Sequence, residues 1–199
     1  MELFIIRHGH SMGDHEDRHQ GHADFSLSAK GETQAEALAA FIYRNYPLQK
    51  IYSSPLKRCL ETAKQIANPL QIPIHEEAAL IERDNGLLAG MLRSEALKKY
   101  PYPEKGRSYY EPLFGGESEL SVRCRVEHFF ARVCRDQSTE RIGIVTHASV
   151  ISLLFHCFLN LPNDCNVYLS TSDAAVHFWN IHKDYRQIIF NNYQQHLSE

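Results

Sequence analysis

Apolar residues fall along this chain in short unbroken runs that alternate with longer stretches of helical period. That alternation predicts an α/β fold with a largely parallel sheet. Leu3 to Ile6 is too short and too continuously apolar for a surface helix, so it reads as a buried strand. After Ser28, the residues Ala35, Leu38, Ala39 and Ile42 recur at spacings of three and four, the stripe of an amphipathic helix. Lys50 to Tyr52 is the next expected strand, and it leads into Ser53-Ser54-Pro55. There a serine is expected to cap a second helix and the proline to take its first position. Leu56, Cys59, Leu60, Ala63 and Ala67 form that helix's buried stripe, and Asn68-Pro69 is expected to end it.

Ile72 to His75 predicts a further strand, after which the rhythm breaks. From Arg83 to Gly116 the chain is rich in Tyr, Pro, Gly and Lys with no clean period, which predicts a cap insert over about 83–116, at one end of the sheet. Regularity returns with a helix from about Ser118 to Arg135, marked by Val122, Val126, Phe129, Phe130 and Val133. A strand over Ile142 to Val145, a helix over Ala148 to Leu159, and strands over Val176 to Ile181 and Gln187 to Phe190 complete the pattern. The expected architecture is a three-layer α/β/α sandwich with a mostly parallel sheet and a small cap insert, forming a single domain over 1–199.

Composition narrows the function classes. The 199 residues suit one domain of the usual ~100 to 200. With 43% apolar and 23% charged residues, the chain is expected to fold as an ordinary globular protein. A net charge of -3 supplies no basic field, so neither nucleic acid nor a membrane surface is expected as partner, and a small molecule is. The five cysteines contain no CxxC pair, which fits a reducing cytoplasm. Glu2 before a four-residue apolar run does not match a signal peptide, and Val150 to Leu161 falls short of the ~20 residues of a membrane span. A cytoplasmic location is therefore expected, and the oligomeric state is left open.

Histidine accounts for 12 of the 199 residues, and five of those lie between His8 and His22. Three polar clusters share one address, the C-terminal end of an expected strand: Arg7-His8-Gly9, Ser53 to Arg58, and Thr146-His147. Open α/β sheets bind ligands at the carboxyl ends of their strands, so these distant segments are expected to converge. Two arginines and two histidines offer bidentate and ring donors that suit a tetrahedral dianion such as a phosphoryl group. Six of the other histidines, His75, His128, His156, His177, His182 and His196, are expected to be core residues with satisfied hydrogen bonds.

On these residues the sequence resembles the histidine phosphatase superfamily, also called phosphoglycerate-mutase-like. Beyond Arg7-His8-Gly9, the residues Ser11, Arg18, Gly21, Asp24, Leu27, Ser28 and Gly31 stand at the family's spacing. So do Ser53-Ser54-Pro55 with Arg58 and Thr62, Glu82 with Gly86 and Gly90, Gly116-Glu117-Ser118 with Arg125, and Val145-Thr146-His147. The resemblance implies that His8 is the nucleophile that takes the phosphoryl group, and that Arg7, Arg58 and His147 surround the phosphate oxygens. It further implies that Glu82 is the proton donor and then the base, and that backbone N–H groups around Gln20, Gly21 and Ala148 add donors. The implied activity is a metal-independent phosphomonoesterase, a histidine-type acid or broad-specificity phosphatase of small-molecule phosphate esters, with no cofactor.

The sequence departs from the family at three positions. Asp14 stands where Asn is general, and an ionised carboxylate there would repel phosphate unless paired. Ala148 replaces a frequent Gly, and His10 replaces Glu or Gln at a place from which it could touch the leaving group. His10, Ser11, Asp14, Arg93 and Arg107 are the candidate substrate contacts. Arg93 stands where mutases carry a Lys and Arg107 near where they carry an Arg pair, and either is alternatively a solvated charge. The group Tyr100, Tyr102, Tyr109, Tyr110 and Phe114 is either the cap's own core or a stacking surface.

Three other functions remain open at this level. One is a phosphoglycerate-type mutase, disfavoured by the short chain and by one evident Arg of the pair. Another is a catalytically silent phosphate-binding module, motivated by Asp14. The third is a metallohydrolase built on His8, His10, Asp14 and His15, whose Asp-His pair is out of register with the HxHxDH run such enzymes use, so no metal is expected.

Overall fold

Side chains alternate across a strand, and the first strand uses both of its faces. Leu3 and Ile5 enter one apolar cluster, and Phe4 and Ile6 enter another on the opposite side of the sheet. In the computed structural model this strand, β1 (Glu2–Arg7), sits inside a six-stranded sheet of order β3-β2-β4-β1-β5-β6. The other strands are β2 (Lys50–Ser53), β3 (Ile74–Glu76), β4 (Arg141–Thr146), β5 (Val176–Ile181) and β6 (Arg186–Tyr193). Pairs β1–β4, β2–β4 and β2–β3 are parallel, and β1–β5 and β5–β6 are antiparallel. The structure describes residues 1–101, 103, 106, 108–112, 114–135, 140–163 and 165–198.

Helices cover both faces. The single turn α1 (Met12–His15) follows β1, and α2 (Ala29–Asn45) and α3 (Lys57–Leu70) pack Leu38, Ile42, Ala63 and Ile66 on the Phe4 side. On the Leu3 side, α5 (Glu119–Arg135) and α6 (Ala148–Leu159) bury Val126, Phe129, Ile151 and Leu154. The predicted α/β/α layering is thus observed, with antiparallel strands confined to one edge. Between β3 and α5, the described residues of 77–118 include two short 3-10 turns and α4 (Arg93–Lys99). No helix among the described residues is long and apolar enough to cross a membrane.

Several local expectations are corrected. Neither serine caps α3, and Pro55 lies before the helix, whose N-cap Leu56 has no side-chain bond. Instead Asp24 reaches over from a distant loop and accepts from Lys57 N at 2.7 Å. The helix also runs through Pro69 to Leu70, because a proline in the last turn gives up little of the ladder, and Gln71 closes it in the left-handed region at φ 54°. Of the six histidines expected in the core, His156, His177 and His196 are buried and His75, His128 and His182 are exposed. His75 and His182 lie instead against Tyr52 and Tyr185, at 5.6 and 4.2 Å between ring centroids. Tyr100 pairs with Phe114 and Tyr109 with Tyr110; Tyr102 lies outside the described residues.

Candidate active site

The sheet order explains why segments more than a hundred residues apart meet. Strands β2, β4 and β1 are parallel neighbours, with Ser53 opposite Val145 and Arg7 opposite Thr146. The residues that follow these strands therefore emerge side by side. His8 N donates to Thr146 O at 3.1 Å, Ser54 N donates to Val145 O at 3.0 Å, and the His8 and His147 rings lie 5.1 Å apart.

The loop after β1 is held by close packing and by α3. A Cβ on Gly9 would lie 2.7 Å from Gly31 O, so the chain passes the start of α2 only without a side chain there. Gly9 N donates to Thr62 Oγ1 at 3.1 Å. One helical turn before Thr62, Arg58 turns its guanidinium to Ala23 O and Gly21 O, both at 2.9 Å. This is the physical content of the Ser-x-x-x-Arg-x-x-x-Thr spacing: one helix positions both the cation and the loop that carries His8.

A cleft of about 870 Å³, counted out to its mouth, opens over this junction. Of the residues expected from sequence, Arg7, His8, Asp14, Gln20, Gly21, Arg58, Glu82, Arg93 and Ala148 line it. His147 does not. It is fully buried beside His8, with Nε2 2.8 Å from Ser54 Oγ and 3.4 Å from Cys59 Sγ. Burial pushes that Cys59 thiol up to about 12. His10 and Ser11 also lie outside the lining. His10 Nδ1 meets Ser28 Oγ at 2.8 Å, and Ser11 is the N-cap of α1. Arg107 lies outside the described residues.

His8 is 3% exposed, and its Nδ1 is 2.8 Å from Gly9 O, so that nitrogen carries the proton and Nε2 keeps its lone pair. Burial first, then the guanidinium charges of Arg58 and Arg7, hold this imidazole well below its ordinary pKa. His147 is held down by burial and by Arg58 in the same way, so both rings are neutral near pH 7. Arg7 bonds Thr171 O at 2.7 Å and Asp173 at 3.0 Å, yet its Nε is buried without a partner, and so is that of Arg58. Two buried N–H groups left open beside one cleft mark a place for an oxyanion.

The carboxylates behave differently from one another. Burial pushes Asp14 up, but bonds from Ser11 N at 2.9 Å, Ser11 Oγ at 2.7 Å and Gln20 Nε2 at 2.7 Å outweigh it and leave the group below its ordinary value. Asp14 is thus ionised and satisfied by neutral donors. Glu82 accepts from Arg83 N at 2.7 Å and from Ser149 Oγ, both on Oε1. Arg125 braces the segment behind it, donating to Ala79 O and Glu82 O while Glu117 holds the guanidinium at 2.9 Å. That contact gives the Gly116-Glu117-Ser118 and Arg125 block its role as a buttress.

Sequence reasoning missed His19, Arg83, Asn85, Ser149 and Tyr168 in the lining. Ser149 had a signal, since it stands in the first turn of the helix that begins after His147; Tyr168 had none, because an irregular connection brings it there. Arg93 reaches the cleft while its Nε lies 3.2 Å from Asp17. Among the described residues, no group of three or more His, Cys, Asp or Glu side chains is arranged to hold a metal ion.

A mostly parallel sheet with paired imidazoles and arginines at its carboxyl edge defines an α/β enzyme of phosphoryl chemistry. A family model of the Histidine phosphatase superfamily (branch 1) matches residues 3–193, and the chain belongs to that superfamily. It is 32% identical to phosphoserine phosphatase 1 of Hydrogenobacter thermophilus over 206 aligned residues, covering 100% of this chain and 95% of that protein. It is also 32% identical to a 2,3-bisphosphoglycerate-dependent phosphoglycerate mutase of Cytophaga hutchinsonii, over 88% of this chain and 86% of the relative. The crystal structure of the α-ribazole phosphatase of Shigella flexneri superposes with a TM-score of 0.85 over 98% of this chain and 97% of that one; at 24% identity, this likeness concerns the fold.

Proposed function

We propose that this protein is a metal-independent phosphomonoesterase that works through a phosphohistidine at His8. The observation that carries the reading is the state of that ring: neutral, with its proton committed to Gly9 O at 2.8 Å, beside two arginines that each keep a buried N–H unpaired. In the first step the Nε2 lone pair of His8 forms a bond to phosphorus as the ester P–O bond breaks. Glu82 gives its proton to the departing oxygen. The ring keeps its Nδ1 proton, and the Gly9 carbonyl steadies the charge the imidazole gains. Arg7 and Arg58 neutralise the equatorial oxygens, and the neutral His147 packs against the His8 ring from behind the cleft lining. In the second step water attacks phosphorus, the Glu82 carboxylate takes its proton, and the P–N bond breaks. Gln20 and Gly21 in the loop after α1 offer backbone donors, as does Ala148 where α6 begins, the favoured end of a helix for an anion.

Residues 83–116 serve as the cap in this reading, since Arg83, Asn85 and Arg93 line the mouth of the cleft. Mutase activity is the second reading, supported by the phosphoglycerate mutase relative. A coupled assay of phosphoglycerate interconversion separates the two, and interconversion faster than hydrolysis would reverse the choice. The direct test is a quench in alkaline detergent during turnover of an aryl phosphate, with part of the sample then taken to acid. The wild type is expected to yield an acid-labile, alkali-stable phosphoenzyme, and His8→Ala to yield none and lose turnover by more than about 10³-fold. Full activity of His8→Ala would end the proposal.

A further inference from the structure

A second cavity of about 400 Å³ shares Arg83, Ser149 and Tyr168 with the phosphate cleft and runs from there between α5 and α6. The side chains of Ser149, Ser152, His156 and Arg83 in its wall already have partners. Ser149 Oγ holds Glu82, Ser152 Oγ accepts from Leu169 N at 3.2 Å, His156 Nε2 meets Val167 O at 2.6 Å, and Arg83 lies 3.6 Å from Glu119. What the cavity still offers a guest is apolar surface, from Val122, Leu153, Val167 and the ring of Tyr168. The phosphate cleft is the opposite case, with arginine N–H groups that still lack an acceptor.

We infer that this side cavity is the leaving-group subsite, and that it selects phosphate monoesters whose alcohol carries an apolar, ring-sized arm over esters of small polar hydroxy acids. The inference rests on the phosphatase reading and refines it. An ester seated with its phosphoryl group beside His8 sends its alcohol past Glu82, and Ser149, which holds that carboxylate, forms part of the side cavity's wall. An arm lying along Tyr168 into the space between α5 and α6 displaces water from apolar walls and breaks no hydrogen bond, whereas a polar arm would leave its own groups unpaired there.

The test compares 2-phenylethyl phosphate with ethyl phosphate, two esters of primary alcohols that differ chiefly in the arm. The wild type is expected to favour the phenylethyl ester at least tenfold in kcat/KM, mainly through KM, and to be inhibited competitively by 2-phenylethanol. Val167 is 48% exposed on an irregular connection and lines only the side cavity of the two, so substitution there spares the fold and the phosphate cleft. Val167→Asp should cut the preference to below threefold while ethyl phosphate turns over within twofold of wild type, and Val167→Leu should retain the preference. Equal use of both esters by the wild type, or an undiminished preference in Val167→Asp, overturns the subsite and leaves the phosphatase standing. Failure to hydrolyse either ester or an aryl phosphate overturns both.

Discussion

Asp14 places an ionised carboxylate in a cleft that arginines otherwise prepare for anions. Its three hydrogen bonds come from neutral groups of Ser11 and Gln20, which hold the carboxylate without cancelling its charge. A bound dianion therefore feels it. Asp14→Asn should tighten inhibition by inorganic phosphate about fivefold, or ~1 kcal/mol, checked by the inhibition constant at neutral pH. The amide of Gln20 can turn over to present its oxygen to the new Asn, so the local fold should survive. Glu82 makes a different demand. In Glu82→Gln the alkoxide must leave unprotonated, so kcat for an alkyl phosphate should fall ~10² to 10⁴-fold while an aryl phosphate loses far less. A steady-state comparison of the two substrates reads this directly, and equal losses would deny Glu82 the role of acid.

Among the elements, the fit between the loop after β1 and the start of α2 is the tightest constraint. A Cβ at Gly31 would run into His10 O. Gly31→Ala should therefore cost ~1 to 3 kcal/mol in urea unfolding and lower activity together with it, since the same loop carries His8. Such short-range signals were what the sequence displayed. The periodic stripes located α2, α3 and α5, and the three strand ends located Arg7, His8, Arg58 and His147. What lay out of reach depended on tertiary partners. The cap of α3 comes from Asp24, 33 residues away, so no local motif betrays it. Tyr168 reaches the cleft from a connection with no pattern at all. His128 was legible and misread: the stripe Val126, Phe129, Phe130, Val133 already turned it outward, and it is exposed. His10 was put forward from the place it takes, where the family has Glu or Gln, and its ring instead meets Ser28 Oγ, a partner 18 residues on that no local pattern shows.

For the molecule as a whole, several histidines are folded in their neutral form, and this ties stability to pH. His177 is lowered from 6.5 to about 4 by burial, against a bond to Asn191 that raises it. His8 and His147 are lowered as well. The unfolded chain binds protons that the folded one refuses, so stability is full above about pH 6.5 and falls as pH drops toward the folded values. His177 alone accounts for roughly 3 kcal/mol across that window, at 1.36 kcal/mol per unit. Urea midpoints should drop between about pH 7.5 and pH 4.5, and the drop should shrink in His177→Gln.

The thiol of Cys59 lies directly against His147, yet it is fully buried and pushed up to about 12, while Cys124 stands exposed on the outside of α5. Peroxide and alkylating reagents act on accessible thiolates. They would spend themselves on the periphery here and leave the chemistry at its centre running, a tolerance of oxidative stress denied to hydrolases whose own nucleophile is sulfur.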